Sequence, residues 1–466
     1  MSRTSGLLAA ILLTGFSLIA CTPHKQYRDN GQCISQTVVP AAACEQHSLQ
    51  YLPTGNGSQY LLGFIEFDDQ GQVWDRQQMH TVLDAVYEQT AKTDILLVSF
   101  VHGWKHSAAP GDSNIETFRR FLAKLSDTEQ FISRATGGPP RLVVGIYLGW
   151  RGGSLNIPYL ENITFWDRKN TAEKVGHGGV TEVLSRLEDV KRTRDSLVCR
   201  AKDQGTGSDC ESDSRLITLG HSFGGAIVHT ALTQILENRF IQTKAPAGQK
   251  SDVLGFGNLV VLINPAFEAN LFTPLSDMST ERGFYTAGQQ PVLLILTSEA
   301  DLATKIAFPT GRWLSTVFEK GNSKHVRRNA ASGELETIDE QMANKTAVGH
   351  FEPYRTHRLA PKTAQKRETV QAAGIEESVR MFVQVSDSWK NDTKGSRLEF
   401  GEVVLERTAR SAARNPYLVT SVDKNLISGH NDIDDERIIE FVKQLILVSS
   451  YKDTGSLRRS MLPEKQ

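Results

Sequence analysis

The stretch "LITLGHSFGGAIV", Leu216 to Val228, places a serine among glycines where an apolar strand run stops and a helix-forming run begins. A helix cap alone would explain the serine, because its hydroxyl can accept a hydrogen bond from an early helical N–H. It does not explain the glycines. Gly220-His221-Ser222-Phe223-Gly224 fits G-x-S-x-G, in which the serine is held in a strained turn that projects its oxygen above a sheet. Residues without a Cβ on either side leave room for strand and helix to pack closely around that turn. Ser222 is therefore expected to be a nucleophile.

Working outward, "DILLVSFVHGW", "RLVVGIYLGW", "NLVVLINP" and "PVLLILTS" are apolar throughout, as strands covered on both faces must be. "YLLGFIEF" is the first strand of the series, and "MFVQVS" and "PYLVTSV" are its last two. Helices are expected at about 75–92, 113–125, 172–194, 223–238 and 432–449. Strands alternating with helices predict an α/β fold with a mostly parallel central sheet and helices on both faces. The expected organisation is a leader over 1–20, a tether with a small disulfide loop over 21–58, and a single α/β domain over 59–450. That domain carries a polar insertion at about 310–373, and a flexible tail follows at 451–466.

These features resemble the α/β-hydrolase superfamily, over about Tyr60 to Ser449. The resemblance implies roles for specific residues. In "FVHGW", His102-Gly103 ends a strand, and the main-chain N–H of Trp104, with that of Phe223, would face the oxyanion formed when a carbonyl is attacked. The nucleophile needs a base, and the base a carboxylate, in the chain order Ser, Asp or Glu, His. Asp301, just past the strand "PVLLILTS", is the expected acid, with Glu299 as its alternative. His430 stands after the last strand and before the terminal helix and is the expected base, with His350 as its alternative. His102, His106, His221 and His357 are expected to line or support the site. The acidic group at Asp432, Asp434, Asp435 and Glu436 is read as a helix start, where carboxylates meet the positive end of the dipole, and not as a metal site. No cofactor is implied. "GFIEFDDQG", "HGW", "WRGGSL" and "WDRK" further resemble an uncharacterised set of bacterial α/β-hydrolase-fold lipoproteins. The implied activity is a serine hydrolase acting on small-molecule or lipid carboxylic esters. A non-catalytic envelope scaffold that keeps the fold is the other reading.

The chain begins with Arg3 ahead of an apolar run from Gly6 to Ala20, too short to span a bilayer comfortably, which reads as an export signal. Its end, "LIAC", resembles the lipobox of bacterial lipoproteins, which implies cleavage before Cys21, acylation of Cys21 and attachment to the cell envelope. Thr22, in place of aspartate, implies the outer membrane, on its periplasmic face. Cys33, Cys44, Cys199 and Cys210 remain, in two close pairs, and in an exported chain they are expected to bridge as Cys33–Cys44 and Cys199–Cys210. Each bridge would close a short loop worth about 2–3 kcal/mol. With 52 basic and 53 acidic residues, charge gives no footing for a nucleic-acid partner.

Overall fold

The computed structural model describes residues 23–153, 165–201, 210–243, 251–309, 323–363, 373–392, 396–451 and 454–461. The leader, Cys21 and residues 154–164 lie outside the described residues.

The chain forms a mixed α/β fold around one large sheet. Its strands are β1 (Asp29–Ile34), β2 (His47–Pro53), β3 (Gln59–Glu66), β4 (Ile95–Val101), β5 (Leu142–Gly149), β6 (Arg215–His221), β7 (Leu259–Ile263) and β8 (Leu293–Ser298). A separate hairpin pairs β9 (Lys324–Arg328) with β10 (Leu335–Asp339), and β11 (His357–Pro361), β12 (Arg397–Phe400), β13 (Val403–Arg407) and β14 (Tyr417–Val422) complete the main sheet. The order is β1-β2-β3-β5-β4-β6-β7-β8-β14-β11-β13-β12, parallel from β3 through β14 to β11 and antiparallel only near the two edges.

Every residue of β4 and of β6 is buried, which is why β4, with Ser99 its single polar residue, reads as a nearly continuous apolar run. Two cores result, one on each face. Met79 and Val82 from helix Arg76–Lys92, Leu184 and Leu187 from Gly179–Ala201, and Ile227 and Leu232 from Phe223–Gln242 fill one. Phe118 and Leu122 from Ser113–Thr136, Phe382 from Ile375–Lys390, and Phe441 and Leu445 from Glu436–Ser450 fill the other.

Four expectations are corrected. Much of the segment read as a tether is sheet: β1 pairs with β2, and β2 with β3. The strand pattern was hidden because buried Gln50 is polar, yet its side chain is satisfied by the Cys44 and His47 carbonyls and by Arg119. "MFVQVS" is helical, since Val379, Phe382, Val383 and Trp389 share the buried face of Ile375–Lys390 and that period outweighs the β-branched composition. The polar insertion contains β11, a member of the main sheet. The tail holds a short helix, Gly455–Met461, seated by buried Leu457 and by an Arg458–Asp387 ion pair of 2.8 Å.

Both cysteine pairs stand at disulfide distance, with Cα separations of 5.4 Å for Cys33–Cys44 and 5.8 Å for Cys199–Cys210. The first ties edge strand β1 to the turn before β2. The second ties the end of helix Gly179–Ala201 to the segment entering β6.

Candidate active site

At the carboxyl end of β6 the chain turns through Ser222, φ 57° and ψ −122°, straight into helix Phe223–Gln242. A serine with positive φ is costly, of order 1–3 kcal/mol, and persists only where its surroundings hold it. Here they do. The Ser222 N–H donates to the Ile263 carbonyl at 2.9 Å, and its own carbonyl accepts from Ala226 and Ala266. The glycines supply the space: a Cβ on Gly220 would stand 2.7 Å from the Gly224 oxygen, and one on Gly224 2.0 Å from the Val101 oxygen.

The Ser222 hydroxyl donates to His430 Nε2 at 2.6 Å, and His430 Nδ1–H donates to Asp301 Oδ2 at 2.9 Å. The ring is mostly covered, and Asp301 is fully buried. Burial alone would raise the Asp301 carboxyl. Hydrogen bonds from His430 and Thr304, with the attraction of the ring, outweigh it and hold the carboxyl below its usual range. Ala303 and Thr304 main-chain N–H groups and the Thr304 hydroxyl fill its remaining acceptor positions. The arrangement is an alcohol, a base it can pass a proton to, and a buried anion fixing the base's tautomer.

The alternatives stand elsewhere. Glu299 turns toward β14 and β11, accepting from the Ser421 hydroxyl at 3.3 Å and lying 3.7 Å from Arg358. His350 Nε2 donates to the Thr304 hydroxyl at 2.9 Å, one hydrogen bond behind the acid. His357 is buried in β11.

Gly103 lies against the serine, so close that a Cβ there would be 2.9 Å from Ser222 Cβ. Trp104 follows, and Lys105, at φ 68°, bends the chain away. Neither the Trp104 nor the Phe223 main-chain N–H has a main-chain partner among the described residues. His102 is the brace of this turn. Its Nδ1–H donates to the Gly103 carbonyl at 2.9 Å, its Nε2 accepts from Trp150 N–H at 3.0 Å, and its ring stacks on Trp150. Burial pushes it down to about 4, so it stays neutral.

No family model matches the sequence, and no curated protein matches it. The chain is similar to two solved structures of phospholipase PlaB from Legionella pneumophila, one of them in complex with thio-NAD. Each is 14% identical, with TM-scores of 0.21 and 0.20, and covers 57% of this chain. The chain spans less than half of those proteins, 45% and 47%. The neighbours are hydrolases.

Two supporting residues, Asn264 and Thr304, were not foreseen, and His221, expected to line the site, takes a supporting role beside them. Asn264, buried at φ 45° just past β7, donates to the His430 carbonyl at 2.9 Å and accepts from the Ser298 N–H. His221 Nε2–H donates to the same His430 carbonyl at 3.0 Å, so two side chains from adjacent strand ends hold the loop that carries the ring. Thr304 joins Asp301 to His350. A polar side chain at a strand's carboxyl end, as in "LINP", was the available signal for Asn264. The family-like stretches also meet: Asp69 binds Arg151 and Arg168, joining "FDDQG", "WRGG" and "WDRK" beside the site. Asp435 is a helix N-cap, accepting from Arg437 N–H, and among the described residues no cluster of His, Cys, Asp and Glu is arranged to hold a metal.

Proposed function

We propose that this protein is a serine hydrolase cleaving carboxylic esters through an acyl-enzyme, with Ser222 as nucleophile, His430 as base and Asp301 as its orienting acid. The observation that carries the reading is the continuous run of hydrogen bonds from the Ser222 hydroxyl through His430 to buried Asp301. As Ser222 Oγ bonds to the ester carbonyl carbon, its proton passes to His430 Nε2, and Asp301 stabilises the resulting imidazolium. The Trp104 and Phe223 amides would receive the charge on the carbonyl oxygen, each such donor being worth ~10²–10³ in rate. His430 then protonates the departing alcohol. In the second half it takes a proton from water, which attacks the acyl carbon and frees Ser222 with release of the acid. No cofactor enters this scheme.

A fluorophosphonate probe tests the nucleophile directly. Wild-type protein is expected to be labelled and Ser222→Ala not to be. Absence of labelling in folded wild-type protein would sink the proposal.

The proposal extends to location: Cys21 carries acyl chains and holds the domain to the bacterial envelope, where an ester in or near a lipid surface is within its reach. More than one chain gives stable anchoring where a single one does not. In cells fed an alkyne-tagged fatty acid, the full chain is expected to be labelled and Cys21→Ala unlabelled and released on washing membranes. Equal labelling of the two would overturn the anchor without touching the hydrolase reading.

A further inference from the structure

Asp301 uses its two oxygens differently. Oδ1 accepts from the Ala303 and Thr304 main-chain N–H groups at 3.0 and 3.2 Å, whereas Oδ2 accepts from both the Thr304 hydroxyl and His430 Nδ1–H. The oxygen that steadies the base is therefore shared with a second donor.

The protons behind that oxygen have fixed positions. A carboxylate can only accept, so the one hydroxyl proton of buried Thr304 points to Oδ2. Thr304 Oγ1 must then be the acceptor toward His350, 2.9 Å away, and His350 carries its proton on Nε2. The donations run one way, from His350 through Thr304 into the carboxylate, and each polarises the next. His350 is placed by contacts outside the triad. Its turn, Val348–His350, is tied to the Phe267 carbonyl through Val348 N–H at 3.1 Å, and Arg355 donates to the Gly349 and His350 carbonyls at 2.9 and 3.3 Å. Desolvation pushes the His350 ring down to about 4, with Asp301 opposing and Arg355 and Lys305 reinforcing that shift, so the ring is neutral near pH 7.

We propose that Thr304 and His350 are positioning residues that lighten the hold of Asp301 on the protonated ring of His430, and so set the lowest pH at which the base is free. The proposal rests on the triad reading above. An Oδ2 with no second donor would turn its full charge on Nδ1–H, stabilise the imidazolium and keep the base occupied to higher pH. The other titratable groups near His430 among the described residues do not substitute for this control: the His221 ring, 5.4 Å away, is held neutral by burial, down to about 3, and Asp432 and Asp434 follow on the same loop whatever residue 304 is.

The test is the pH profile of kcat/KM, whose lower limb reports the base in the free enzyme. Thr304→Val removes the hydroxyl and is expected to move that limb up by roughly half a pH unit or more, with KM unchanged. His350→Phe is expected to move it the same way by less, because it removes only the polarising donor. Thr304→Ser and His350→Gln, which each keep a donor in place, are expected to return the limb to its wild-type position. A limb that stays put while the rate falls equally at every pH is what a merely structural role produces, and it would overturn the proposal, as would a limb that moves down. Should Thr304→Val fail to fold, the two His350 variants decide alone. The same substitutions in Ser222→Ala protein, with the His430 ring titrated by NMR, need no turnover and are expected to show the same upward shift. That shift, found alongside wild-type protein that takes no fluorophosphonate, would keep the link between the rings and remove the hydrolase reading alone.

Discussion

Ser222→Ala and His430→Ala are each expected to lower kcat on a short-chain ester by roughly 10⁵–10⁶, and the double variant to lose no more than either single one. The reason is geometric. The hydroxyl is 2.6 Å from Nε2, and each group is useful only through the other, so removing the first already removes what the second contributes. Asp301→Asn is expected to cost less, roughly 10⁴, because an amide at that position can donate to Nδ1 and favour the wrong tautomer while leaving alcohol and ring in place. Glu299→Gln is expected to stay within a few-fold of wild type, since its carboxylate faces Ser421 and Arg358 instead of the ring. Stability should barely change in Ser222→Ala: the Cβ remains, and the backbone bonds to Ile263, Ala226 and Ala266 hold the turn. Ester turnover measured by stopped assay across the four single variants and the double one checks the scheme. Losses that add in the double variant would mean that Ser222 and His430 act independently, and the acyl-enzyme scheme would fall.

How much of this was legible beforehand follows from which forces leave a mark in the sequence. The central strands declared themselves because burial on two faces favours apolar residues, and β4 through β8 are apolar at most positions, β6 with Arg215, Thr218 and His221 being the most polar of them. Ser222 declared itself because a turn that tight needs glycines. The order of acid and histidine along the chain, together with their places after β8 and β14, then narrowed the remaining candidates to residues that the fold does bring together. Edge strands were less legible. β2 buries Ser48 and Gln50, whose cost is removed by hydrogen bonds that no local pattern encodes. Helix Ile375–Lys390 was misread because Phe382, Val383 and Val385 lie in a run rich in strand-forming residues, and only a window longer than six residues reveals the helical period. Asn264 and Thr304 reach His430 and His350 across 166 and 46 positions, relations invisible until the chain is folded.

The protein is expected to lose most of its stability between pH 6.5 and pH 5, well above the range where carboxylates titrate. His102, His221, His229 and His357 are all buried, and burial holds them neutral, down to about 4 for His102 and about 3 for the other three. In the unfolded chain each would protonate near 6.5. The folded value is the lower one, so above pH 6.5 neither state takes the proton and nothing is lost. Below it the unfolded state gains protons that the folded state refuses, and stability falls until the pH reaches the folded value. Each ring contributes roughly 1.4 kcal/mol per pH unit over that window, and the four together about 8 kcal/mol at pH 5. That is comparable with the whole stability of an ordinary domain, about 5–15 kcal/mol. Asp301, held below its usual range, acts the same way only at lower pH, below the ordinary carboxylate value of 3.8, and cannot account for a loss that starts near 6. Urea unfolding at half-unit steps from pH 7.5 to 5 checks the slope. His229→Phe isolates one ring, since it stacks on Phe267 at a centroid distance of 3.9 Å and a phenyl ring keeps that contact while removing the titrating nitrogen. The variant is expected to retain stability at pH 7.5 within about 1.5 kcal/mol and to lower the slope by one ring's share, roughly 1.4 kcal/mol per pH unit. A flat unfolding free energy across the window would show that these rings take up protons while folded. The turn that His102 braces, with its single Nδ1–H donated to Gly103 and its Nε2 accepting from Trp150, would then have to exist in a second hydrogen-bonded form.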